Sequence, residues 1–192
     1  MKLNLASGPW VVPGWTAVDL DPQFKPDVRC DLTKFPYPFQ DNSADFIFCS
    51  HMLEHFTYPQ AKAFLAECLR ILKPRGAIRI SVPDVQDAIT KLVTGEFASW
   101  YEKLIEKGEM VNKHPTQLMA FTKEFAYPGL EVEGKTLHKS MWDRITLSLF
   151  LREAGFKDVT ITTFKGSRYE EFKAPGLDNR PEHSLFIEGE KP

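Results

Sequence analysis

MKLNLASGPWVVPGWTAVDLD, Met1–Asp21, is the stretch from which the rest of the chain is best read. It contains two short apolar runs with strand character, Lys2–Ala6 and Thr16–Leu20. The first runs into Ser7 and Gly8, where the missing side chain lets a ligand come close to the backbone. The second ends at Asp19, a carboxylate placed to accept hydrogen bonds from a ribose diol. In open α/β sheets ligands sit beyond the carboxyl ends of strands, at the point where strand order reverses. Two such tips side by side outline a nucleoside site.

The downstream pattern supplies a sheet for those tips to belong to. Asp27–Asp31 (DVRCD) reads as a short strand closing on an acid, and Lys34–Asn42 (KFPYPFQDN) as a loop rich in proline and aromatics. Ala44–Ser50 (ADFIFCS) is a nearly continuous apolar run, as expected of a strand covered on both faces. From Pro59 to Leu72, residues Ala61, Phe64, Leu65, Cys68, Leu69 and Leu72 recur at helical spacing along one face. Thr57 and Gln60 match a capping box, and Lys73-Pro74-Arg75-Gly76 is a stop signal. Ala77–Val82 (AIRISV) is the next strand. Strand, helix and strand in this order imply a parallel pair with a right-handed crossover.

Between about residues 84 and 140 the rhythm changes to a mainly helical insert, the length of a lid or substrate-binding element. Val85, Ile89, Leu92 and Val93 mark one helix face there. Phe97, Trp100, Tyr101, Leu104 and Ile105 mark another, and Lys113–Lys139 has little periodicity. Asp143–Ala154 reads as a helix that Gly155 terminates. Asp158–Phe164 and Ser184–Ile187 are the last strands, expected to be antiparallel neighbours because no helix is predicted between them.

The bulk numbers fit a single domain over 1–192, long enough for a real core. With Lys+Arg 24 against Asp+Glu 26 the net charge is -2, so no basic surplus points to a phosphate backbone. The three cysteines, Cys30, Cys49 and Cys68, form no CxxC pair and lie in apolar runs as expected of buried free thiols. No run is long enough to span a bilayer, and no signal-type segment opens the chain, so a cytoplasmic address is the simplest expectation.

The ordered set LNLASG (3–8), GWTAVDLDP (14–22), CDL (30–32), PFQDNSADFIFCSHMLEHF (38–56), LKPRG (72–76), HKSMWD (138–143) and LREAGF (151–156) resembles the class I S-adenosylmethionine-dependent methyltransferases. Within them it is most similar to the small branch related to ubiquinone/menaquinone-type methylases, of the methyltransferase type 11 kind. The resemblance implies an α/β, Rossmann-like sheet of seven strands, mostly parallel with an antiparallel last strand, and S-adenosylmethionine as cofactor. Ala6, Ser7 and Gly8 would then lie against the methionine part. Asp19, beside Leu20, would hold the ribose. Asp31 would accept from the adenine amine, with Leu32 offering an amide and an apolar wall, and Ser50 and His51 would line the pocket near the sulfonium. Ordinary strand-end acids are the bland reading of Asp19 and Asp31; Asp21 reads as a solvated carboxylate.

One departure from the family pattern is informative. Only Ala6–Trp15 joins the first two strands, too short for a full helix. A dinucleotide pyrophosphate wants the amides and dipole of a proper helix N-terminus, whereas a sulfonium cofactor has no phosphate to satisfy.

Methyl transfer to a hydroxyl or amine of a small-molecule or sugar-like acceptor is the expected activity. Orientation supplies most of its rate, and a histidine takes the proton of a hydroxyl acceptor. His138, leaving the insert toward the site, and His51 are the candidate catalytic residues. His55 reads as a packing residue, and His114 and His183 as surface residues. Other readings stay open. A cofactor-binding protein without turnover would keep Asp19 and Asp31. His51-Met52-Leu53-Glu54-His55 also fits the HxxEH zinc-hydrolase pattern, which needs a helix around it; no metal is expected under the methyltransferase reading. The absence of a [DNS]PP[YFW] motif after the fourth strand, where Cys49-Ser50-His51 stands, argues against amine-methylating DNA enzymes. The Lys165–Lys173 stretch (KGSRYEEFK) reads as a solvated loop or a rim contact for an anionic substrate.

Overall fold

The computed structural model describes residues 1–108, 116–122, 131–132, 135–136 and 138–192; His114 and part of the Lys113–Lys139 stretch lie outside the described residues. In chain order the elements are β1 Lys2–Leu5, β2 Thr16–Asp19, β3 Val28–Arg29, β4 Ala44–Ser50, α1 Tyr58–Ile71 and β5 Leu72–Pro83. There follow α2 Val85–Thr94, α3 Phe97–Glu106, α4 Gln117–Phe121, β6 Glu131–Val132, β7 Lys135–Thr136, α5 Arg144–Ala154, β8 Lys157–Thr162 and β9 Ser184–Glu190. Seven strands form one sheet in the order β3-β2-β1-β4-β5-β9-β8. β1 lies between β2 and β4, parallel to both, so strand order reverses at β1. β9 runs antiparallel to β5 and to β8, as expected for the last strand.

Local chemistry explains the helix borders. The Thr57 side chain accepts from Gln60 N–H while Gln60 Oε1 accepts from Thr57 N–H at 3.0 Å, the reciprocal box read from the sequence. Asp143 caps α5 by accepting from Thr146 N–H at 2.7 Å, and Gly155 closes it at φ 106. The stop signal after α1 is not a loop: β5 begins at Leu72 directly. Gly76 is required within it, because a Cβ there would lie 2.9 Å from Lys73 O and 3.0 Å from Asp45 O.

The alternation of side chains along the strands divides the core. Leu3, Leu5, Ile47, Cys49, Ile78, Ile80, Val82 and Ile187 face one side and pack against Phe64, Leu65 and Cys68 of α1 and Leu147 and Leu151 of α5. All three cysteines are buried and free. The opposite side, toward which Phe46, Phe48 and Ala77 point, has no helix between β1 and β2 to cover it. The long connection from β8 to β9 covers it instead, packing Phe172 and Leu177 with Val12 and Trp15 onto those strands. The expectation of a solvated Lys165–Lys173 loop is therefore corrected: Phe172 is 0% exposed, and Tyr169 and Phe172 both stack edge-on against Phe46.

An ion cluster ties this connection down. Arg79 of β5, 0% exposed, donates Nε and Nη2 to the two oxygens of Asp178 at 3.0 and 2.5 Å and Nη1 to Glu188 Oε1 at 2.8 Å. Its remaining N–H groups reach Thr162 Oγ1 and Thr163 O. All five guanidinium donors are thus satisfied, which a buried charge demands.

α2–α4 enclose a second small core of Phe97, Trp100, Tyr101 and Leu104 with Val85, Ala88 and Ala120. They leave the sheet at the carboxyl end of β5, where Asp84 caps α2. Among the described residues no helix is long and apolar enough to cross a membrane.

Candidate functional site

Two cavities open at the carboxyl ends of the strands, and Ala6 lines both. The larger, about 580 Å³, is bordered by Asp19 and Leu20 after β2, Cys30, Asp31, Leu32 and Thr33 after β3, and Met52, His55 and Phe56 after β4. Its lining is largely apolar, with the carboxylates of Asp19 and Asp31 and the amine of Lys139 as its charged groups. Asp19 Oδ2 accepts from Gly8 N–H at 2.8 Å and Oδ1 from Asp21 N–H at 2.9 Å, which holds the carboxylate in place and leaves lone pairs over. Asp31 Oδ1 accepts from Thr33 Oγ1 at 2.6 Å and from Thr33 N–H at 3.0 Å, with Lys34 Nζ 3.2 Å from Oδ2. Those Thr33 hydrogen bonds, with Lys34 assisting, hold its carboxyl below the usual range. Leu20 is 50% exposed and lies on the rim. Asp21, part-exposed, also caps the short turn at Pro22 by accepting from Gln23 N–H.

The smaller cavity, about 160 Å³, is lined by Ser7 and Gly8 after β1, Ser50 and His51 after β4, and Gly176, Leu177, Asn179 and Arg180 from the β8–β9 connection. No carboxylate lines it, and Arg180 is its one cationic side chain. Arg180 makes no ion pair among the described residues, and Asn179 Oδ1 is buried without a hydrogen-bond partner there. Ala6 and His51, at the tips of β1 and β4, both hold positive φ, 55° and 49°. Each such residue costs on the order of 1–3 kcal/mol and turns the chain sharply at the site's border.

Beside these cavities lies a histidine cluster centred on Glu54. Glu54 is 2% exposed, with Oε1 3.4 Å from His51 Nδ1 and 3.9 Å from His138 Nε2. The His51 and His183 rings meet edge-on at 5.0 Å, as do His55 and His138. Burial alone would raise the Glu54 carboxyl; the hydrogen bond and charge of His51, with His138 and His55, outweigh it and hold it at about 2. Burial pushes His51 down, against the pull of Glu54, and pushes His183 down to about 2 with the charges of His51 and Arg180 assisting.

The cavity linings bring together Ala6, Ser7, Gly8, Asp19, Leu20, Asp31, Leu32, Ser50 and His51, the set expected from the sequence. His138 and His51 lie on either side of Glu54, but their surroundings differ. The His51 side chain is 9% exposed, and its Nε2 is already paired with Ser184 Oγ at 2.7 Å; the His138 side chain is 19% exposed. His183, expected on the surface, is 2% exposed. The HxxEH pattern does not form the zinc-hydrolase arrangement. His51 sits at a strand tip and Leu53–His55 is a single 3₁₀ turn, so the two imidazoles are not stacked one helical turn apart. Asn179 and Arg180 were not legible as site residues, for they lie in a polar connection with no motif around them.

Residues 15–80 match the sequence family described as a methyltransferase domain. No curated protein matches the chain. Among solved structures, a SAM dependent methyltransferase from Archaeoglobus fulgidus superposes with TM-score 0.57 at 17% identity, over 99% of this chain and 85% of its own. A SAM-dependent methyltransferase from Thermotoga maritima, a possible histamine N-methyltransferase, gives TM-score 0.55 at 20% identity over 100% and 82%. A complex of the Haloferax volcanii Trm112 methyltransferase activator with a putative methyltransferase gives 0.52 at 13% over 100% and 82%. The fold is therefore that of the class I S-adenosylmethionine-dependent methyltransferases, and residues 15–80 are similar in sequence to a methyltransferase domain.

Proposed function

We propose that this chain, an S-adenosylmethionine-dependent methyltransferase by fold and by the match over 15–80, methylates a hydroxyl or amine of a small-molecule or sugar-like acceptor. The observation that carries the placement of the cofactor is the pairing of two unlike cavities at Ala6. One is largely apolar and presents the carboxylates of Asp19 and Asp31, suited to adenosine; the other is free of carboxylates and presents Arg180, suited to the methionine carboxylate. Neither relies on a helix after β1, which a pyrophosphate would need.

Bound S-adenosylmethionine supplies a methyl group on a sulfonium. The chain's own residues supply position and dryness. Asp19 fixes the ribose and, through its bond to Gly8, the loop under the methionine moiety. Asp31 and Leu32 hold the adenine edge. Arg180, Ser7 and Ser50 hold the amino-acid end. Ala6 and His51 bring the two strand tips close to the reacting centre, where misplacement of an ångström costs a large part of the rate. His138, more exposed than His51 and 3.9 Å from Glu54, takes the proton of a hydroxyl acceptor, with Glu54 as its positioning residue. The helices α2 and α3, which leave the sheet at the end of β5, form the acceptor-side wall. Incubation with S-adenosylmethionine and a panel of hydroxyl and amine acceptors tests the reading: it predicts S-adenosylhomocysteine release with at least one acceptor class and its loss in His138→Ala.

A further inference from the structure

We propose that Glu54, His55 and His138 form a binding site for a divalent first-row transition-metal cation beside the cofactor cleft. One carboxylate oxygen of Glu54 and one ring nitrogen from each histidine lie within 4.8 Å of one another. Two further observations point to a missing ligand. Glu54 Oε2 and His55 Nδ1 are both buried and have no hydrogen-bond partner among the described residues. A buried carboxylate oxygen left unpaired costs free energy that a native interior normally avoids. A carboxylate can only accept, so the species that satisfies it is a donor or a cation. With two imidazoles pointing to the same place, a cation satisfies all three groups at once.

The donor set narrows the ion. Two imidazole nitrogens and one carboxylate suit zinc, cobalt, iron or nickel better than magnesium or calcium, which favour all-oxygen sites. Three protein ligands leave positions open, the mark of a reactive rather than a structural site. The orientation of Glu54 is also set as a ligand requires: Oε1 lies 3.4 Å from His51 Nδ1, whose other nitrogen is paired with Ser184. Such outer partners fix ligating groups. Glu54 and His138 border a small cavity with Ser140 and Trp142, and His55 lines the larger cavity, so the cation would stand between the two.

The inference deepens the methyl-transfer reading but does not depend on it for binding. Held by Glu54, His55 and His138, such a cation would act as a Lewis acid on an acceptor hydroxyl, easing loss of its proton. His138 would then serve as ligand through the lone pair that otherwise accepts the proton.

Chelator-treated full-length chain, titrated with Co(II) and with Zn(II) by calorimetry, tests this, with the visible bands of Co(II) as a second readout. One equivalent per chain is expected, weakened at least tenfold in His138→Ala and in Glu54→Gln. His138 is partly exposed, so its variant keeps the test open should Glu54→Gln fail to fold. Asp19→Ala separates the two proposals: it should lose affinity for S-adenosylhomocysteine and keep the Co(II) site. Absence of Co(II) and Zn(II) binding by the wild-type chain, or binding unchanged in His138→Ala, would overturn the assignment.

Discussion

Arg79, at the middle of the sheet on β5, grips both carboxylate oxygens of Asp178, in the β8–β9 connection, at 3.0 and 2.5 Å. Two residues beyond Asp178 stands Arg180, which lines the smaller cavity beside Ser7 and Gly8. The clamp therefore joins the stability of the sheet to the geometry of the site. The connection takes the place that a helix after β1 would occupy, burying Phe172 and Leu177 against Trp15 and Phe48.

Arg79→Met would leave Asp178 and Glu188 as unpaired buried carboxylates. Breaking one side of a buried ion cluster costs about 3–5 kcal/mol. Urea denaturation should report a loss of that size, and limited proteolysis should find new cleavage within 163–183. A variant as stable and as resistant as the wild type would refute the clamp.

Arg180→Ala removes the cation from the smaller cavity, where the proposal seats the methionine carboxylate, and leaves the larger cavity intact. Losing a charged hydrogen bond costs about 1.5–3 kcal/mol, tenfold or more in affinity. Calorimetry should show that loss for S-adenosylhomocysteine and little change for 5′-methylthioadenosine, which lacks the amino acid. Equal weakening of both ligands would place Arg180 elsewhere in the binding mode.

Acid should destabilise the fold through its buried histidines. His183 is held at about 2 by burial and by neighbouring charge, against an ordinary value of 6.5, and His51 is depressed in the same direction. A depressed folded value means that the unfolded chain binds the proton first. The stability is complete above pH 6.5 and falls as the pH drops below it, with His183 alone contributing about 2 kcal/mol by pH 5. Glu54, held at about 2 against 4.5, adds a further loss below pH 4.5. Melting temperatures should fall between pH 7 and pH 5, and less steeply in His183→Asn; a flat profile would contradict the buried, neutral state of these rings.

The parts of the fold that the sequence displayed were those with dense local signals. Ala44–Ser50 announced a covered strand by its unbroken apolar run. Thr57 and Gln60 marked the cap of α1, which starts at Tyr58, one residue before the expected Pro59, and Asp19 and Gly8 stood out as strand-tip chemistry. The β8–β9 connection was hidden because Tyr169, Phe172 and Leu177 follow no helical or strand period in a charged background. Arg180 and Asn179 inherit their role from that connection's path across the sheet. His183 carries no local mark of burial, since the ring that packs on it, His51 at the tip of β4, is distant in sequence. The Glu54 cluster was half visible: His51-Met52-Leu53-Glu54-His55 displayed the residue types, but a 3₁₀ turn in place of a helix pairs His55 with His138 and separates it from His51.

The Asp19–Gly8 bond, 2.8 Å long, is where the cofactor reading is most exposed to test. Isothermal titration of S-adenosylhomocysteine into the wild-type chain and into Asp19→Ala measures it directly. The account predicts one-to-one binding that weakens at least tenfold in the variant, with no competition from NAD at the same concentration. Binding indifferent to Asp19→Ala, or displaced by NAD, would contradict it.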